Sequence, residues 1–257
     1  MLKQTLDSGR SMLCAGMDVV FPQRCLACAT RIDTPARARG RLLHVCDNCR
    51  CLLAPEIPWS CQRCGAAVGA FAKTHDGCRH CRGRTLRFRS VTCLGMYEAA
   101  LRKAILHAKW SFSTVGVRTL AGLLADARRD EFSTLKMDLI LPIPQSWQGR
   151  LLRHFNPAHS IADELGRTLR VPADRHVLRR RRNPRPQKRV PVLQRFENQH
   201  GSFRVQNDNH LRGATVLLVD DVLTTGATCS EATRVLKQHG AKQVHVAVLA
   251  RVLDHSA

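Results

Sequence analysis

From residue 90 onward the apolar positions alternate between two periods. "SVTCLGMY" (90–97) is a short continuous apolar run of strand type, and "EAALRKAILHAKW" (98–110) sets Leu101, Ala104, Ile105 and Ala108 on one helical face. "VGVRTLAGLLADARRD" (115–130) predicts a second helix, and "MDLILPIP" (137–144) a buried strand stopped by its prolines. "PAHSIADELGRTL" (157–169) aligns Ala158, Ile161, Ala162, Leu165 and Leu169, with Pro157 suited to a first helical turn. "TVLLV" (215–219) predicts a strand, 227–239 a helix and "QVHVAVLAR" (243–251) a further strand. Strands alternating with helices specify an α/β fold with a parallel sheet wound by crossovers.

Two stretches depart from this rhythm. Leu2, Leu6, Leu13, Met17 and Val20 recur at roughly helical spacing, which predicts a docking helix over residues 1–20. "LRRRRNPRPQKRVPVLQRF" (178–196) carries eight Arg and Lys, three prolines and no acid, which predicts a mobile basic loop or arm. Residues 21–88 show little periodicity. The expected division is a docking helix (1–20), a cysteine-rich module (21–88) and an α/β domain (89–257).

Charge and cysteine content narrow the chemistry. The chain has 257 residues, 41 Lys and Arg against 20 Asp and Glu, and a net charge of +21. Such an excess favours a polyanionic partner, a nucleic acid or a phosphorylated small molecule. No apolar run is long enough to cross a bilayer and no signal-type apolar segment opens the chain, so a cytoplasmic location is expected.

Ten of the twelve cysteines precede residue 90, and in a reducing compartment they point to metal rather than disulfides. Four Cys-x-x-Cys units occur in order: Cys25 and Cys28, Cys46 and Cys49, Cys61 and Cys64, Cys78 and Cys81. Each pair on a tight turn can grip one tetrahedral ion, and two pairs complete a four-thiolate zinc-ribbon site. Seventeen residues separate the first two pairs and thirteen the last two, lengths suited to ribbon hairpins. Two structural zinc ions are expected, held by pairs one with two and three with four, with the cross-braced pairing as the alternative. Cys14, Cys51, Cys93 and Cys229 are read as ordinary buried residues.

"VLLVDDVLTTGAT" (216–228) carries the remaining chemistry. A buried strand runs into Asp220 and Asp221, at the carboxyl end where open α/β sheets bind ligands. Carboxylates there suit the vicinal hydroxyls of a ribose. Thr224, Thr225, Gly226, Ala227 and Thr228 form a small-residue bend entering a helix, whose N–H groups and hydroxyls can cradle a phosphate. The pair of features describes a ribose 5-phosphate. It requires a cavity in front of the bend and acids not buried against lysines or arginines. A receiver-type domain, which opens with a similar strand, is excluded because only 36 residues follow Asp221.

Residues 216–228 resemble the phosphoribosyl-pyrophosphate signature of type I phosphoribosyltransferases. With the zinc-ribbon front end, the chain resembles the ComF family of competence-associated proteins over nearly its whole length. "LILPIPQSWQGRLLRHFN" is similar to the family's segment after its central strand. "LRRRRNPRPQ", Arg195, Asn198 and "GSF" (201–203) are similar to its later motif. The chain departs at Arg153-His154-Phe155-Asn156-Pro157, where the family has Arg-Gly-Phe-Asn-Gln, and at Pro184, where it has threonine.

The resemblance implies a type I phosphoribosyltransferase-like domain acting on phosphoribosyl pyrophosphate with Mg²⁺. Asp220 and Asp221 would be the catalytic acids on the ribose, and residues 224–228 would hold the 5-phosphate. Pro144, Arg150, Arg153, Arg182 and Gln187 would serve the pyrophosphate and its covering loop, the basic arm 179–189. Phosphoribosyl transfer in the service of DNA uptake is the leading expectation. The alternatives are a non-catalytic nucleotide or single-stranded-DNA binder of the uptake machinery, and a zinc-ribbon adaptor for its proteins.

Overall fold

The longest apolar runs become the centre of a parallel sheet, because a strand covered on both faces needs no polar alternation. The structure is a computed structural model, and it describes residues 23–32, 36–38, 41–110, 114–145, 155–181 and 195–253. The expected helix over 1–20 and most of the basic arm therefore lie outside the described residues.

The elements in chain order are β1 (Ala36–Ala38), β2 (Arg41–Leu43), α1 (Asp47–Leu53), β3 (Val91–Met96), α2 (Ala99–Trp110), α3 (Thr114–Ala127) and α4 (Arg129–Thr134). They continue with β4 (Leu139–Pro142), α5 (Pro157–Leu169), β5 (Leu178–Arg180), α6 (Arg195–Gln199), β6 (Phe203–Val205), β7 (Thr215–Leu223), α7 (Ala227–Gln238) and β8 (Gln243–Arg251). The main sheet runs β3-β8-β7-β4, with all three neighbour pairs parallel. β5 and β6 form a separate antiparallel pair, as do β1 and β2.

Alternation along the central strands divides the interior into two cores. Leu217 and Val219 of β7 face Ile105, Leu120, Leu124, Ile161 and Leu165 of α2, α3 and α5. Val216 and Leu218 face the opposite side, with Cys229, Ala232, Val235 and Leu236 of α7. The cysteine-rich segment contributes to both. Cys25 and Cys49 belong to the first core, and Cys61, Cys64, Cys78 and Cys81 to the second.

Three local departures from the sequence reading have physical causes. The helix expected over 115–130 ends at Ala127, because Arg128 leaves helical geometry. There its guanidinium donates to the carbonyls of Cys93 (2.9 Å), Leu94 (3.0 Å) and Pro55 (2.9 Å). The basic stretch begins as strand β5, because Leu178 and Arg180 pair with Val205 and Phe203. The strand expected over 215–219 runs on to Leu223, since Val222 and Leu223 still pair with Ala250 and Arg251 of β8.

Candidate functional site

That extension creates a step in the sheet. β4 pairs with β7 only as far as Pro142 opposite Val219, and Ile143 donates one last bond to the Val219 carbonyl (2.8 Å). Beyond it, Asp220 and Asp221 keep β8 on one side and have lost β4 on the other. The chain after β4 turns away through Pro144, and Asn156 recovers it: its Nδ2 donates to Ile143 O (2.9 Å) while its Oδ1 accepts from Ala158 N, capping α5. The acids thus lie at the carboxyl end of a parallel sheet, beside a strand that has stopped.

Residues 224–226 form the bend, and α7 starts at Ala227 with Gly226 as its N-cap. Gly226 adopts φ 82°, and a Cβ there would stand 3.0 Å from Leu86 and 3.3 Å from Phe88, so both conformation and space demand glycine. Thr225 is buried, and its hydroxyl accepts a long bond from Ala227 N (3.4 Å). No side chain caps the helix at Gly226, so its start presents backbone donors and the positive end of the helix dipole.

The two acids are not equivalent. Asp221 Oδ2 lies 2.6 Å from Lys109 Nζ at the end of α2, a pair in which both side chains are largely covered. The expectation that neither acid meets a lysine is thereby overturned for Asp221: α2 packs on its face of the sheet and delivers Lys109 there. One oxygen of Asp221 remains beyond the pair, since a carboxylate offers two. Asp220 Oδ1 accepts from Asp221 N (2.9 Å). Burial first, then the neighbouring charge of Asp221, pushes the Asp220 carboxyl up to about 7.

A cavity of about 950 Å³ opens between the end of β4, the start of α5 and the β5–β6 pair. Pro144, Gln145, Asn156, His159, Arg175, Arg179, Arg180 and Arg204 are among its lining, whereas neither acid nor the bend is, so this cavity is not the one expected in front of the bend. Arg180 links the two regions: its Nε donates to Pro144 O (3.2 Å), its guanidinium stacks 4.7 Å above the Phe203 ring, and its charge reaches Asp220. The "GSF" stretch is tied to α7, with Gly201 N donating to Glu231 Oε1 (2.8 Å). Of the predicted pyrophosphate residues, Pro144 stands at this cavity, while Arg150, Arg153, Arg182 and Gln187 lie outside the described residues. Lys109 is not singled out by sequence, and nothing in its local spacing marks it; Asn156 and Arg180 enter the sequence reading only as members of the motif at 153–157 and of the basic arm 179–189.

The cysteines form two compact clusters. Cys25, Cys28, Cys46 and Cys49 make one, and Cys61, Cys64, Cys78 and Cys81 the other, each with its sulfurs within 4.8 Å of one another. The pairing is one with two and three with four. The separations are Cys28 to Cys46 3.8 Å, Cys61 to Cys81 3.9 Å, Cys64 to Cys78 3.5 Å and Cys78 to Cys81 4.0 Å. A tetrahedral ion with bonds of about 2.3 Å sets its sulfurs about 3.8 Å apart, so both donor sets fit zinc. The distances are far too long for disulfides. All four sulfurs of the second cluster come from buried residues, so it leaves no open ligand position, as structural sites require. In the first, Cys28 is exposed and Cys46 half-buried. Of the leftover thiols, Cys93 and Cys229 are buried as expected, but Cys51 is exposed, on the outer side of α1.

Comparison with known proteins agrees with this architecture. The phosphoribosyl transferase domain family matches residues 154–256, which include both acids and the bend. Competence protein F of Haemophilus influenzae is 28% identical over 239 residues, 90% of this chain and 98% of that protein. The DNA utilization protein YhgH of Escherichia coli (strain K12) is 28% identical over 75% of this chain and 84% of its own. Competence protein ComFC of Bacillus subtilis is 27% identical over 84% of this chain and 89% of its own. Among the described residues no helix is long and apolar enough to cross a membrane.

Metal analysis of the purified chain should find two zinc ions. A chelator should remove them in two phases, the faster from the cluster containing exposed Cys28. Single-phase release, or retention of both ions after Cys28→Ser, would contradict the difference in burial. The Asp220 carboxyl should titrate near 7 when followed by carbon NMR. Its native state holds a proton that the unfolded chain releases near 3.9, so its contribution to stability is present below about 4 and declines as pH rises through 7. Titration at an ordinary carboxylate value would remove that assignment.

Proposed function

The chain belongs to the ComF family of competence-associated proteins, and from that premise we propose that it binds phosphoribosyl pyrophosphate at the step between β4 and β7 and transfers the phosphoribosyl group. The observation that supports this most is the meeting of the paired acids with an uncapped helix start at the carboxyl end of the sheet, inside the matched domain.

In this reading Asp220, once ionised, and the free oxygen of Asp221 accept hydrogen bonds from the ribose hydroxyls. The bend of residues 224–228 receives the 5-phosphate through backbone N–H groups and the Thr225 and Thr228 hydroxyls. Lys109 fixes the Asp221 carboxylate, so the ribose meets an acid already oriented. Pro144, at the end of β4, lies on the side proposed for the pyrophosphate; Arg150, Arg153, Arg182 and Gln187, expected to serve it, lie outside the described residues. Mg²⁺ bound with this substrate would supply positive charge to neutralise the departing pyrophosphate. The anomeric carbon–oxygen bond breaks and that oxygen keeps the electron pair. A nitrogen nucleophile then forms the new bond to carbon and releases its proton. Each cation near the leaving group lowers the barrier by stabilising charge that grows only in the transition state. Ribose recognition through ionised Asp220 should strengthen as pH rises through about 7.

A second reading is single-stranded-DNA binding in DNA uptake. It is supported by the +21 charge and by the competence and DNA utilization roles in the relatives' names. The two readings are compatible, since a polyanion and a phosphorylated sugar both seek cationic ground.

Asp220→Ala with Asp221→Ala should abolish phosphoribosyl-pyrophosphate binding in calorimetry and any pyrophosphate release, while both zinc ions stay bound. Undiminished binding by the double variant would reject the site. Retention of labelled single strands should fall steeply with salt, because each Lys or Arg on a phosphate releases a counterion. Salt-insensitive or absent retention would reject the second reading.

A further inference from the structure

Arg251, the last residue of β8, is 1% exposed. A buried guanidinium is costly unless its charge is met. Among the described residues no carboxylate pairs with it. Its Nε donates to Cys64 O (2.9 Å), and its Nη1 to the carbonyls of Leu223 (3.2 Å), Thr224 and Val252. One side chain therefore ties a knuckle of the second cysteine cluster to the end of β7 and the first residue of the bend.

Carbonyl dipoles satisfy its donors, but they do not balance its charge. Four thiolates around one divalent zinc carry a net charge of −2, and Cys64 is one of them. A bound ion would thus make the second cluster an anion beside Arg251, whose Nε bonds the Cys64 carbonyl. The ion would also fix the knuckle whose carbonyl Arg251 grips, so the anchor at Cys64 and the ties to the bend share one side chain.

A second set of contacts joins the same two regions. Residues 85–88, which follow Cys81, lie along the bend and the start of α7. Ser230 Oγ donates to Thr85 O (2.7 Å) and accepts from Arg87 N (3.1 Å). Leu86 and Phe88 cover Gly226. Among the described residues the first cluster shows no such link: it packs in the other core, against α2 and α3.

We infer that Arg251 is a positioning residue that holds the bend of residues 224–228 in its binding shape, and that it does so only while the second four-cysteine cluster carries its metal. The function of the bend as a phosphate cradle rests on the reading above. The coupling between cluster and bend does not, and it can be measured without ligand.

The test is hydrogen exchange of the full-length chain over residues 223–228, with zinc content and ribose 5-phosphate affinity measured in parallel. Arg251→Met should speed exchange in this segment at least about tenfold, the effect of losing even one of its four charge-assisted bonds. It should weaken ribose 5-phosphate binding by a similar factor while both zincs remain. Cys61→Ser with Cys78→Ser should remove one zinc and give the same acceleration, whereas Cys28→Ser with Cys46→Ser should remove the other and leave this segment unchanged. Should the second-cluster variant not fold, Arg251→Lys serves instead: it keeps the charge, cannot span Cys64 and Thr224 together, and should give an intermediate acceleration. Wild-type exchange over 223–228 in Arg251→Met or Arg251→Lys would overturn the inference. Accelerated exchange in a protein whose wild type binds no ribose 5-phosphate would leave the coupling standing and remove the phosphate reading instead.

Discussion

The site depends on a mismatch of strand lengths. β7 is held by β8 through Leu223, but by β4 only through Val219. Prolines 142 and 144 end β4, because neither can donate to a ladder. The two acids then lie in the part of β7, residues 220–223, that among the described residues has a strand neighbour on one side. Were β4 two residues longer, its backbone would fill the place where a ribose is proposed to lie. Were β8 shorter, the acids would sit on an unpaired tail. The bend and α7 follow from the same register, since Leu223 must finish pairing before the chain can turn.

The sheet also explains why the cysteine-rich segment is so small and yet ordered. Neither half has enough apolar residues for a core of its own. Each half instead joins one face of the sheet, the first beside α2 and α3 and the second beside β3 and α7. Gly65 shows how close the second approach is, because a Cβ there would stand 2.8 Å from a methyl of Val91. Metal and sheet divide the labour: the four-cysteine sets fix the turns, and the sheet supplies the apolar surface that the turns lack.

The elements of the sheet were legible in sequence because burial on both faces writes a continuous apolar run, and the helices because one buried stripe writes a 3.6-residue period. The cysteine clusters were legible because spacing alone defines a tetrahedral donor set. The β5–β6 pair was not, since three-residue strands within an arginine run carry no periodic signal and exist only through each other. Lys109 and Arg251 were hidden for a different reason. Each looks like the polar end of an ordinary element, and each has meaning only through a partner distant in the chain. Arg251 meets Cys64 across 187 residues.

The Lys109–Asp221 pair bears on the proposed role of this site in holding a sugar. Two carboxylates one residue apart repel, and both cannot be ionised in a covered crevice at little cost. The lysine removes the conflict by neutralising one of them, and the proton retained by Asp220 up to about 7 removes the rest. A ribose offers hydroxyls, which donate to an ionised oxygen and accept from a protonated one. The uneven pair can therefore meet two hydroxyls with an acceptor and a group able to play either part. In the same chain of 41 basic residues, Lys109 is thus committed to orienting an acid.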